Sequence, residues 1–170
     1  MLYQPFWCEE NIWHLAEDPQ VGPGERWVAL LTGISGHLAC WGQRAAATAD
    51  APVLWDYHVV LMVQHTTWQV WDLDARRGCP LSASIWLATT FPEPERIRPA
   101  YQPRCLLLPA ATYRSQLTSD RAHMRHGNGE WQQPPPPWPA PQTADGTTLA
   151  TYIERARRGL TYDELRARLS

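Results

Sequence analysis

The chain has 170 residues, enough for one domain with a core of its own and too few for two comfortable ones, so 1–170 is expected to fold as a single domain. Its 15 basic and 17 acidic residues sum to a formal charge of −2 with no long run of either sign, which argues against a nucleic-acid surface as a partner. All basic residues are Arg, and the absence of Lys excludes Schiff-base and P-loop lysine chemistry. No stretch approaches the apolar length of a membrane span, and Met1 to Trp7 lacks the basic start and apolar run of a signal peptide, so a cytoplasmic protein is expected. The cysteines Cys8, Cys40, Cys79 and Cys105 are scattered without a CxxC pair, which predicts neither a zinc cage nor a disulfide framework. His123 and His126 are spaced like metal ligands but have no further ligand nearby, so no metal site is expected.

Taken in order, Tyr3 to Trp7 should be extended, because Pro5 pushes Gln4 out of helical geometry. From Cys8 to Glu17 apolar or small residues recur at 8, 12, 15 and 16, a helical spacing that Asp18-Pro19 ends. Trp27–Thr32 and Leu38–Trp41 flank Gly33 to Gly36 and predict a hairpin, and Gly42 to Asp50 reads as a small, polar surface connection. Val53–Val63 and Thr67–Asp74, rich in β-branched and aromatic residues, predict a second hairpin. Phe91–Pro103 reads as loop, Cys105–Leu108 as a buried strand and Ala110–Leu117 as a short helix, while Ile85–Leu87 carries no clear signal. In Ser119 to Met124, Ser119 or Asp120 serves either as a turn cap or in a functional role. Pro134 to Pro139 must be polyproline-like, a stiff strap over the core. Leu149–Arg158 and a helix opened by the capping box Thr161/Glu164 finish the chain, with 159–170 expected at the periphery.

The second hairpin carries the chemistry. A loop of three or five residues centred on His65 would set His58 opposite Asp72 on one face of the sheet, whereas a two-residue loop would send them to opposite faces. A buried His facing a carboxylate is either a structural stitch or half of a catalytic array. Cys8 at a helix start makes the second reading concrete. Cys8 would be the nucleophile, His58 the base that takes its proton, and Asp72 the group that fixes the imidazole's tautomer. The helix start favours thiolate, Glu9 and Glu10 oppose it, and the dipole alone would not suffice.

Five ordered stretches, Tyr3-Gln4-Pro5-Phe6-Trp7-Cys8-Glu9-Glu10-Asn11-Ile12-Trp13, Trp55-Asp56-Tyr57-His58-Val59-Val60-Leu61, Trp71-Asp72-Leu73-Asp74, Ser119-Asp120-Arg121-Ala122-His123-Met124 and Pro134-Pro135-Pro136-Pro137-Trp138-Pro139, closely resemble the motifs of the protein N-terminal glutamine amidohydrolase family. The loops 19–52 and 75–104 do not match, and the helix after Gly159 looks added. The resemblance implies an α+β fold, papain-like or transglutaminase-like, with an antiparallel sheet packed on an N-terminal helix that carries the nucleophile. It implies the triad Cys8, His58 and Asp72, no cofactor, and conversion of an N-terminal Gln to Glu with release of ammonia.

From the residue types, a γ-thioester on Cys8 would form and then be hydrolysed, with the Cys8 N–H and, upstream, the Gln4 amide as oxyanion donors. Asp56 and Asp120 are the acidic residues available for a substrate α-ammonium. The partners expected are N-terminal segments of proteins or peptides, met by a monomer without nucleic acid or membrane. Two other readings stay open: a cysteine hydrolase of the same fold acting on internal Gln or a peptide bond, and a binding module with an inert triad.

Overall fold

A computed structural model describes residues 1–170. Fifteen elements follow in chain order: α1 (Cys8–Leu15), β1 (Glu25–Gly33), β2 (Leu38–Cys40), β3 (Val53–Trp55), β4 (His58–Gln64), β5 (Trp68–Trp71), β6 (Leu81–Ser82), α2 (Ala83–Thr90), β7 (Pro103–Pro109), α3 (Ala110–Gln116), β8 (Leu117–Thr118), β9 (Thr147–Thr148), α4 (Leu149–Arg157), β10 (Leu160–Thr161) and α5 (Tyr162–Arg168). The architecture is α+β. Its centre is a six-stranded antiparallel sheet in the order β10-β7-β1-β4-β5-β6, with two small two-stranded sheets, β2-β3 and β8-β9, beside it.

Both faces of the large sheet are covered, which is why β4 reads as an unbroken apolar run rather than an alternating one. Val28, Leu30, Val59, Leu61 and Val63 pack on one side against Ile12 and Leu15 of α1, Tyr113 of α3 and Tyr152 and Ala156 of α4. Ala29, Leu31, Val60, Met62 and Val70 pack on the other against Trp86 and Leu87 of α2 and Leu165 of α5. The period of two along each strand thus divides one sheet between two cores.

Several expectations are corrected here. The hairpin expected between Trp27 and Trp41 does not form: β4 and β7 occupy both edges of β1, and β2 pairs with β3 instead. The run Val53–Val63 is two strands, broken at Asp56-Tyr57 so that β3 leaves the main sheet before β4 enters it. In the β4-β5 ladder Leu61 faces Trp71 and Gln64 faces Trp68, so the three-residue loop centres on Thr66 rather than His65. A centre moved by one residue moves each pairing by two and keeps the faces. His58 and Asp72 therefore share a face as diagonal neighbours, not as a directly opposed pair. The connection Gly42–Asp50 is not all surface, because Gln43 is fully buried and bridges to Ala75. Ile85–Leu87, without a clear signal in sequence, lies in α2. The segment 159–170 lies at the sheet's edge, yet it supplies the edge strand β10 and the buried Leu165 and Leu169.

The polyproline segment is a strap across α1. Pro134 O accepts hydrogen bonds from Trp7 Nε1 at 2.9 Å and Gln4 Nε2 at 3.1 Å. Arg121 donates to the carbonyl of Trp138 and, through both sides of its fork at 2.7 Å, to the fully buried carboxylate of Glu10. Trp138 Nε1 donates to the same carboxylate at 2.9 Å. Arg121, in the left-handed region at φ 58°, thereby welds the strap to the helix that carries Cys8.

Candidate active site

Cys8 opens α1 two residues after Phe6, whose φ of 69° puts a non-glycine residue in the left-handed region at a cost of about 1–3 kcal/mol. That turn is held by Asn11, whose side chain accepts from Gln4 N and donates to Gln4 O, both at 2.8 Å. No side chain caps the helix start, so its first N–H groups remain free beside the thiol. Cys8 and His58 line one cavity of about 200 Å³ at the end of β4, together with Phe6, Trp55, Tyr57 and Asp74. The His58 ring stacks on Trp55 at 5.9 Å with 10° between planes.

Asp72 stands behind His58. His58 Nε2 is 2.9 Å from Asp72 Oδ1, which fixes the ring and leaves Nδ1 without a protein partner. Oδ1 also accepts from Asp74 N at 3.1 Å, and Oδ2 accepts from Gln43 Nε2 and Trp86 Nε1, both at 3.1 Å. All four partners act as donors. Burial would push the Asp72 carboxyl up, but the His58 charge and these hydrogen bonds hold it down at about 2. Burial alone would push His58 down. The Asp72 carboxylate and the bond to it outweigh that, with Asp74 adding, and raise the imidazole above its ordinary 6.5.

The thiol is held the other way. Burial first, then the carboxylates of Glu9, Asp74 and Asp72, push Cys8 well above an ordinary cysteine, while a backbone hydrogen bond at Val59 opposes them. Glu9 is fully buried, and its Oε2 lies 3.9 Å from Cys8 Sγ while accepting from Tyr57 OH at 2.8 Å. His123 Nε2 comes within 3.1 Å of Tyr57 OH and 3.3 Å of Glu9 Oε1, off the line for a hydrogen bond to the latter. These surroundings favour the thiol over the thiolate at Cys8.

The structure brings Cys8, His58 and Asp72 together and, of the other sequence candidates, places only Asp56 in the cavity wall. Gln4 does not line the cavity; its side-chain amide donates to Pro134 O and its backbone is held by Asn11. Asp120 is exposed, caps Ala122 N at 2.9 Å and lines a different surface hollow. Asp56 does line the cavity, but its side chain is 77% exposed and pairs with His37 at 3.1 Å. Sequence reasoning missed Gln43 and Trp86 behind Asp72, and Asp74 and Gln133 in the cavity wall. Of these only Asp74 lay in a matched motif. His58, Asp72 and Asp74 offer ligand atoms within 4.8 Å of one another, but a metal there would have to displace His58, Gln43 and Trp86 from Asp72. Cys40, Cys79 and Cys105 are free thiols that do not line the cavity, Cys40 and Cys105 being buried in the α2 core, where burial pushes Cys105 up to about 12.

Fold and site together define an α+β protein with a cysteine, a histidine and an acid-backed hydrogen-bond network around one small cavity. Residues 3–165 match the profile of the family described as N-terminal glutamine amidase, and the chain belongs to that family. It is 32% identical over 150 residues to a human protein named protein N-terminal glutamine amidohydrolase, covering 85% of this chain and 73% of that one. Proteins of the same name from Danio rerio and Caenorhabditis briggsae are 31% identical over 152 residues and 30% identical over 156, covering 85% and 89% of this chain and 74% and 83% of theirs. No helix is long and apolar enough to cross a membrane.

Proposed function

We propose that the chain deamidates the N-terminal Gln of proteins and peptides to Glu, releasing ammonia, with 1–170 acting as one catalytic domain of papain-like or transglutaminase-like type. The observation that carries this reading is the seating of Cys8 and His58 in the wall of one cavity with Asp72 locked behind the imidazole. Cys8 Sγ attacks the Gln Cδ as His58 Nδ1 takes the thiol proton. The oxyanion is held by the uncapped N–H groups at the start of α1, with the side-chain amide of Gln133 as a further donor in place of Gln4. The imidazolium passes its proton to the departing ammonia, leaving a γ-thioester, and water deprotonated by His58 hydrolyses it. Asp72 stays ionised throughout and supports the imidazolium. The chemistry calls for no cofactor. Four free thiols suit a reducing compartment such as the cytoplasm.

The test is ammonia release from three peptides, Gln first, Gln second and Asn first, by the wild-type protein and by Cys8→Ala. Release from the Gln-first peptide alone, abolished in the variant, is the expected outcome. Release from the Gln-second peptide would instead mark a broader deamidase, and silence on all three would sink the enzyme reading.

A further inference from the structure

We infer that Asp74 seats the free α-ammonium group of the substrate, so that restriction to a chain's first residue resides in one carboxylate oxygen beside the thiol. The inference rests on the amidase reading above. Asp74 is 5% exposed and lines the cavity with Cys8 and His58. Its Oδ1 accepts from Tyr3 OH at 2.7 Å, while its Oδ2 has no protein donor. A carboxylate this deeply buried with half its acceptor capacity open is costly unless a donor arrives. An ammonium supplies three N–H donors and the missing charge together.

The placement suits the reaction. In glutamine the α-nitrogen is four bonds from Cδ, about 5 Å when extended, so its receptor must lie within one short side chain of the nucleophile. An Asp74 oxygen lies within 4.8 Å of both a His58 ring nitrogen and an Asp72 oxygen. The Asp74 backbone is held by its N–H to Asp72 and by Arg44 N, which donates to its carbonyl at 2.7 Å, and Tyr3 OH holds the carboxylate itself. No Arg lines the cavity to compete for it. Asp56, the other acid in the wall, is largely in water and already paired with His37, where a charge discriminates weakly.

The arrangement also explains why an internal Gln is refused. Its neutral backbone amide would leave the open Asp74 oxygen without a cationic donor, which forfeits a charge-assisted hydrogen bond and weakens binding roughly 10- to 200-fold. A bound ammonium, moreover, neutralises one of the carboxylates that hold Cys8 protonated. The correct substrate thereby eases formation of its own nucleophile.

Binding is measured without turnover, by titrating Cys8→Ala protein with a Gln-first peptide and with the same peptide acetylated at its N-terminus. The free amine is expected to bind roughly 10- to 200-fold more tightly, and Cys8→Ala/Asp74→Asn to lose that preference. Tyr3→Phe in the same background, which removes only the Oδ1 partner, is expected to keep it. A preference that survives Asp74→Asn, or one absent from Cys8→Ala to begin with, overturns the inference. Should thermal denaturation show Asp74→Asn to be unfolded, Asp74→Glu decides: a preference cut by the displaced carboxylate supports the seat, and an unchanged one refutes it. Failure of the amidase reading is distinguishable, since it appears as wild-type silence on every peptide whatever the binding arms show.

Discussion

Replacing Asp72 by Asn tests whether the acid behind His58 is a support made entirely of acceptors. The four groups that reach its two oxygens, His58 Nε2, Asp74 N, Gln43 Nε2 and Trp86 Nε1, are all donors. An Asn side chain must turn its NH₂ toward one of these pairs. With NH₂ toward Gln43 and Trp86, Gln43 can reverse its own amide, since its Oε1 is buried without a partner. Trp86 cannot reverse, and its N–H is left facing another donor inside the core. The variant thus loses the charge under His58, weakens two bonds to a charged acceptor, and orphans one indole. Each is worth about 1.5–3 kcal/mol alone, and together, without additivity, about 3–5 kcal/mol. Urea unfolding of wild type and Asp72→Asn at pH 7 measures the difference, and turnover of a Gln-first peptide should fall by at least about a thousandfold, as expected when a triad's orienting acid is neutralised. A variant within about 0.5 kcal/mol of wild type, the range of an ordinary surface change, would refute the account of Asp72.

Other outcomes follow from the same geometry. Glu9→Gln keeps an acceptor for Tyr57 while removing a charge 3.9 Å from Cys8 Sγ, an opposition of about 4 kcal/mol at an effective dielectric of 20; iodoacetamide should alkylate Cys8 at least about tenfold faster at pH 7, and an unchanged or slower rate would contradict it. Arg121→Ala leaves the buried Glu10 carboxylate with Trp138 alone and should cost about 3–5 kcal/mol in urea unfolding, against a small effect at the surface pair Arg158 and Glu154. His58 must be neutral to act as base and is raised above 6.5, so the acid limb of kcat/KM for a Gln-first peptide should have its midpoint above pH 6.5; a midpoint below that value would show that Asp72 does not hold the imidazole up. Asp72, held at about 2 against an ordinary 3.8, stabilises the fold by about 2 kcal/mol above pH 3.8 and loses this as pH falls through 2, whereas the His58 contribution is full below pH 6.5 and lost as pH rises through its raised pKa; unfolding free energies across pH 2–9 read both.

How much of this could be read from residues alone depended on whether the cause was local. The start of α1 at Cys8 follows from apolar spacing, and the common face of His58 and Asp72 survives a register error, because moving the loop centre from His65 to Thr66 shifts pairing by an even number. The Thr161/Glu164 capping box forms as its four-residue spacing requires. What escaped was non-local. Nothing around Leu38–Cys40 tells it that both edges of β1 are already filled by β4 and β7, so the expected hairpin was a sound local inference overruled by the sheet. Gln43 looked like surface because its neighbours are small and polar; only the closure of β5 onto α2 creates the buried carboxylate that calls for its amide. The place of Gln4 outside the cavity wall has a similar cause. The strap reaches it from 130 residues away and takes up its amide.

The buried acids around the thiol differ in one respect that orders them. Glu10 is met by both arms of Arg121 and by Trp138, and Asp72 by four donors, so both oxygens of each are engaged. Glu9 has Tyr57 on one oxygen and nothing bonded on the other, and Asp74 has Tyr3 alone. A carboxylate that exists to stabilise the fold gains by being saturated, since each open lone pair in a low dielectric is a standing cost. The two left open act on Cys8 more strongly than the saturated Asp72 does, and one of them, Asp74, lines the cavity. Their incomplete bonding leaves acceptor capacity beside Cys8 that an entering cation would fill, and Asp74 is the one of the two placed in the cavity wall to meet it.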